Sequence, residues 1–147
     1  IGEIDCRLDS GIITHKNKSA DKSLKALVTN TITNYLDYIA NVNLHSHHKI
    51  IIQGVPCPNI DTREVSKNSV IELIETIKLF NLELRNKSKG KGYGFLDLHK
   101  LTDRGDGFSN TTWHVDDYHL SPGGISKAWQ NHFYPSPSFK SGLAETL

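Results

Sequence analysis

Hydrophobic side chains recur along this chain with two different periods, and the switches between them lay out its elements. Over residues 22–43, Leu24, Leu27, Val28, Ile32, Tyr35, Leu36 and Ile39 fall at three- and four-residue steps. That stripe predicts an amphipathic helix, with Ser19 and Asp21 available as caps. A polar connection carrying His45, His47 and His48 follows. Residues 49–55 then hold Ile50-Ile51-Ile52, β-branched throughout, which suits a strand buried on both faces. Pro56 and Pro58 end it. Helical spacing returns over residues 61–86, where Val70, Ile74, Ile77, Phe80 and Leu84 mark the buried side. Ser69-Val-Ile-Glu72 fits a capping box, so that helix starts between Thr62 and Ser69. Residues 87–92 read as a Gly/Lys turn and residues 93–98 as another strand. Residues 103–107 are a turn by composition. A closing helix over residues 122–132 has Ser121 as N-cap, Pro122 in its first turn, and Ile125 and Trp129 at a four-residue step. Residues 1–7 read as a strand end entering a loop, residues 9–22 as loop, and the tail from Tyr134 as frayed.

This alternation predicts an α/β layer fold with a parallel sheet and right-handed crossovers. In such folds ligands sit at the carboxyl ends of the strands. Residues 2–7, residues 56–59 and the loops after Leu98 all fall at that edge. One domain over residues 1–133 and a tail over 134–147 account for the chain. Its 147 residues suffice for one core. Lys and Arg number 17 against 16 Asp and Glu, a net charge of +1, so charge makes no case for nucleic acid. Lys87, Lys89 and Lys91 then read as a solvated turn. No apolar run is long enough for a membrane span. Two cysteines, Cys6 and Cys57, are too few for a disulfide scaffold. Both follow predicted neighbouring strands; unpaired thiols in a cytoplasmic chain are the expectation. The chain begins at Ile1 and has no methionine, from which a processed chain or fragment is expected.

The candidate chemistry lies in Asp116-Asp117-Tyr118-His119-Leu120-Ser121-Pro122. A carboxylate three residues before a histidine, at the mouth of a helix, holds one ring tautomer and raises the ring's basicity, as a general base requires. Many soluble chains carry this spacing by chance, and a solvated loop is the competing reading. His45, His47, His48, His114 and His119, with Asp116 and Asp117, supply metal-ligating groups, yet their spacing predicts no closed tetrahedral site. No metal or cofactor is expected.

Three blocks in order resemble the C-terminal part of an SGNH/GDSL-type hydrolase domain. Gly2-Glu3-Ile4-Asp5-Cys6-Arg7 looks like a variant of the family's third block. Phe80-Asn81-x-x-Leu84, then Phe95-Leu96-Asp97 and Asp106-Gly107, resemble its connecting region. Asp116-x-x-His119-Leu120 matches its last block. The resemblance spans roughly Ile1 to Trp129. It implies a flavodoxin-like three-layer α/β/α sandwich and hydrolysis of a small ester or acylated carbohydrate by a serine nucleophile. His119 would be the base and Asp116 its orienting carboxylate; adjacent Asp117 competes but misses the family spacing. Gly2, Glu3, Asp5 and Arg7 would form the substrate and oxyanion region, with Arg7 either binding an anionic group or making a surface salt bridge. Two departures stand out. The Gly-Asp-Ser nucleophile block is missing, and Asp9-Ser10-Gly11 falls after the third block with no strand before it. The family's oxyanion asparagine is here Ile4, which donates no hydrogen bond. The expectation is therefore an N-terminally truncated domain, inactive alone, whose exposed sheet edge invites self-association. A non-catalytic module binding a glycan or protein partner is the alternative.

Overall fold

The computed structural model describes residues 2–18, 22–63 and 65–135. In chain order these form a 3₁₀ turn (Ile4–Cys6), α1 (Gly11–Lys18), α2 (Leu24–Asn43), β1 (Ile51–Gln53), α3 (Lys67–Gly90), β2 (Gly94–Leu96), α4 (Leu98–Thr102) and α5 (Pro122–Phe133). β1 and β2 pair in parallel, with Ile51 opposite Gly94, Ile52 opposite Phe95 and Gln53 opposite Leu96. The protein is thus mixed α/β, mostly helical, with a small parallel sheet of two strands among the described residues.

The apolar stripes build one core. Val28, Ile32 and Leu36 of α2 meet Leu73, Ile77, Phe80 and Leu84 of α3, and Ile52 closes the cluster from β1. Phe80 and Ile32 are wholly buried. Alternation along the strands divides the sheet's two faces. Ile52 and Phe95 turn toward the α2/α3 cluster, whereas Gly94 lies under His132 of α5.

Each long helix begins at a serine whose side chain accepts from the third residue on. Ser23 Oγ accepts from Ala26 N at 3.2 Å, Ser66 Oγ from Ser69 N at 3.1 Å, and Ser121 Oγ from Gly124 N at 3.1 Å. The cap of α3 is therefore Ser66, upstream of the expected box at Ser69, and α3 runs through most of the expected 87–92 turn. Ser23 caps α2; Ser19 and Asp21 lie outside the described residues. α5 seats itself through small residues, Gly124 and Ala128, while Trp129 is 39% exposed and stacks on Phe133.

Two expectations fail at the N-terminal side. Residues 2–7 are not a strand end. Asp5 Oδ2 accepts from Gly2 N at 2.7 Å and Cys6 N donates to Gly2 O at 3.1 Å, so the segment closes on itself as a turn. Gly2 has φ +106°, which glycine alone adopts without strain. Residues 11–18 are helical instead of loop. Ile12 and Ile13 are buried in the core cluster, and Lys16 Nζ meets Glu72 Oε1 at 2.6 Å, so tertiary contacts stabilise a helix that its polar composition conceals.

A buried amide closes the carboxyl end of β1. Asn81 of α3 accepts from Val55 N at 2.7 Å and donates to Val55 O at 2.9 Å. Gly54 makes room for it: a Cβ there would lie 2.8 Å from both Asn81 Oδ1 and Phe95 Cζ.

Candidate active site at the carboxyl edge of the sheet

The Asp116–His119 loop is a short antiparallel excursion. His114 bridges Leu120, Val115 N donates to His119 O at 2.9 Å, and Ser121 N donates to Trp113 O at 2.7 Å. Within it the Asp116 carboxylate collects three donors. Tyr118 N and His119 N lie 2.8 and 2.7 Å from Oδ1, and His119 Nδ1 lies 2.8 Å from Oδ2. These bonds, the two backbone N–H groups first, hold the Asp116 carboxyl down at about 2. A carboxylate facing Nδ1 keeps the neutral ring's proton there and leaves its lone pair on Nε2, the tautomer of a general base. Both side chains stay open to solvent, His119 at 65% and Asp116 at 53% exposure.

Two contacts seat this loop. Asn59, just after β1, donates from its backbone to Asp117 O at 3.3 Å and from Nδ2 to Asp116 O at 3.1 Å. The Arg7 guanidinium lies 4.1 Å from the centre of the Tyr118 ring. The first and last blocks of the sequence thus meet at the carboxyl edge, where the strand alternation predicts a site. Between them is a cavity of about 280 Å³, walled by Cys6, Arg7, Val55, Pro58, Asp117 and Tyr118 among others. Neither Asp116 nor His119 belongs to its described wall.

The other expected site residues are largely committed to one another. Gly2 N and Asp5 bond each other, and the Arg7 fork grips Glu3, with Nη2 3.0 Å from Oε2. Donating to the Glu3 carboxylate raises the Arg7 pKa, and Arg7 therefore makes an ion pair as well as an aromatic contact. None of Gly2, Glu3, Asp5 and Arg7 is hydrogen-bonded to Asp116 or His119. Ile4 is 59% exposed. Ser10 Oγ reaches Ile4 O at 3.4 Å and Asp9 Oδ1 at 3.3 Å, and its bonds do not include His119. Asp117 joins the site through its backbone, so the orienting carboxylate is that of Asp116.

The remaining histidines separate by place. His45, His47 and His48 are exposed in the α2–β1 connection, where the Asn43 side chain bonds both His48 N (2.8 Å) and His48 O (2.9 Å). His114 is half-buried with Nδ1 2.8 Å from Ser109 Oγ, and burial lowers its pKa. Cys6 and Cys57 are buried and free. Burial pushes the Cys57 thiol up to about 12.

Sequence reasoning missed Asn59 and Tyr118 as parts of the site. Tyr118 stands inside the motif, where an aromatic beside a histidine–carboxylate pair is a usable signal; Asn59 has no signal beyond its place in a Pro-rich loop after a strand. No family model, curated protein or solved structure matches this chain.

Proposed function

We propose that Asp116 and His119 are the acid–base half of an SGNH-type serine ester hydrolase acting on a small acyl ester or acylated carbohydrate. The observation that carries this reading is the 2.8 Å bond between His119 Nδ1 and Asp116 Oδ2, at the carboxyl edge of a parallel sheet. His119 Nε2 takes the proton of a serine hydroxyl as its oxygen attacks the ester carbonyl. The imidazolium, stabilised by Asp116, returns that proton to the departing alkoxide, and water repeats the sequence on the acyl-enzyme to release the acid. The reading requires a serine nucleophile after the first strand of a flavodoxin-like three-layer sandwich, a Gly-Asp-Ser block that these 147 residues do not contain. The 147-residue chain alone is then inactive, and its open sheet edge supports self-association.

The test is hydrolysis of p-nitrophenyl acetate by the gene product that contains this sequence. His119→Ala is expected to lower kcat/KM by about 10²–10⁴-fold. Turnover indifferent to His119→Ala, or absent from the unaltered gene product, overturns the reading.

One observation favours a second reading, a non-catalytic module for a glycan or protein partner: the cavity wall includes Arg7, Asp117 and Tyr118 but leaves out the Asp116–His119 pair. In that case ligand binding survives His119→Ala and fails on Tyr118→Ala.

A further inference from the structure

The same edge of the sheet carries a second constellation, unrelated to the ester reading. Sγ of Cys57, a ring nitrogen of His99 and a carboxylate oxygen of Asp103 all lie within 4.8 Å of one another. Local structure and tertiary packing build it together. His99 and Asp103 stand four residues apart on α4 and its C-cap, a spacing that puts both on one face. Thr102 Oγ1 accepts from Cys57 N at 2.8 Å and donates to Leu98 O at 2.8 Å, which fixes the thiol-bearing loop on α4. Asp103 Oδ1 accepts from Gly105 N at 2.7 Å and Gly107 N at 3.0 Å, so the carboxylate is held from behind. Cys57 has no exposed surface, and His99 Nε2 is buried without a hydrogen-bond partner. The thiol's weak contact with His99 O, at 3.6 Å, leaves that ring nitrogen unsatisfied.

We propose that Cys57, His99 and Asp103 form a binding site for a divalent transition-metal ion of the zinc class. A thiolate, an imidazole and a carboxylate are the donor types such an ion takes, and three protein ligands leave its fourth tetrahedral position to water. The thiolate and imidazole select it over magnesium and calcium. Ligand atoms around tetrahedral zinc lie roughly 3.2–3.8 Å apart, so side-chain adjustment closes the cluster on the ion. Binding replaces the Cys57 S–H proton, which leaves to solvent, while the carboxylate and neutral imidazole enter as they stand. The two negative ligands then balance the ion's charge in a buried place. His99 also lines an open cavity of about 310 Å³ beside Lys78, Arg85 and Asp97, which gives a route of entry.

The experiment loads the EDTA-treated full chain with Zn²⁺ or Co²⁺ and removes loose metal by gel filtration. One equivalent of zinc is expected to remain, and the cobalt form is expected to show thiolate-to-cobalt charge transfer in the near ultraviolet. Cys57→Ser and His99→Gln should each weaken retention by more than about tenfold. Cys6→Ser, and replacement of His45, His47 and His48 by Ala, should leave both readouts unchanged. A folded unaltered chain that retains no zinc, or shows no thiolate band with cobalt, overturns the proposal whether or not the variants fold. Zinc retained undiminished in Cys57→Ser, or lost with His45, His47 and His48, overturns it as well.

Discussion

Two histidine–carboxylate pairs stand at one edge of the same small sheet, and their surroundings are opposite. His119 and Asp116 share one exposed loop, three residues apart, and the loop's own backbone satisfies the carboxylate. His99 and Asp103 are four residues apart on a helix that a buried threonine fastens to another loop, and there the imidazole keeps an unpartnered buried nitrogen. The exposed pair is complete within ten residues of sequence. The buried cluster requires the fold, since its third member, Cys57, lies 42 residues from His99. Local chain geometry therefore completes the exposed pair, whereas tertiary structure assembles the buried cluster.

The strongest way to break the contrast is to loosen the support beneath both sites. Asn81→Leu leaves Val55 N and Val55 O buried and unpaired, at a cost of about 2–6 kcal/mol. Urea unfolding measures the loss, and hydrogen exchange should show residues 55–59 opening with it. Thr102→Val acts on the buried cluster alone, freeing Cys57 N, and should cost about 1–3 kcal/mol while His119 keeps its chemical shifts. Ser121→Ala acts on the exposed side, removing the α5 cap for about 1 kcal/mol.

The smallest effects are in pH dependence, and both pairs there depress a pKa for different reasons. The Asp116 carboxyl sits at about 2, below its ordinary value, because the folded loop donates to its charged form. Its stabilisation is complete above the ordinary carboxylate range and disappears as pH falls through about 2; Asp116→Asn should flatten acid unfolding in that window. His99 is lowered by desolvation, which disfavours its cation. In metal-free protein, stability should decline as pH falls below the ordinary imidazole range toward the lower folded-state value, a slope that His99→Gln removes. NMR titration of the Asp116 carboxyl and of the His99 ring checks both.

Periodicity made the large elements legible. α2, α3 and α5, the parallel strands at Ile51 and Gly94, and the serine and proline opening α5 all follow from side-chain spacing. α1 was not legible because its stripe is only Ile12-Ile13, and the N-terminal turn was not because one aspartate bond redirects it. The Asp116–His119 pair could be read because both members share one loop. Asn59 could not, since its role arises only when β1 delivers it to that loop. His99 and Asp103 went unread as a pair, since a four-residue spacing is common and nothing in the order of residues says that a thiol from another loop arrives beside them.

Gly54 has a reach its size conceals. By leaving a methyl-sized gap next to Asn81 and Phe95, it lets a helix side chain reach both backbone groups of Val55. Positions 54 and 81 are consequently one device in two pieces. An alanine at the first would crowd the amide at the second, and the same small intrusion would disturb the following loop that carries Cys57 and Asn59, neither of which it touches.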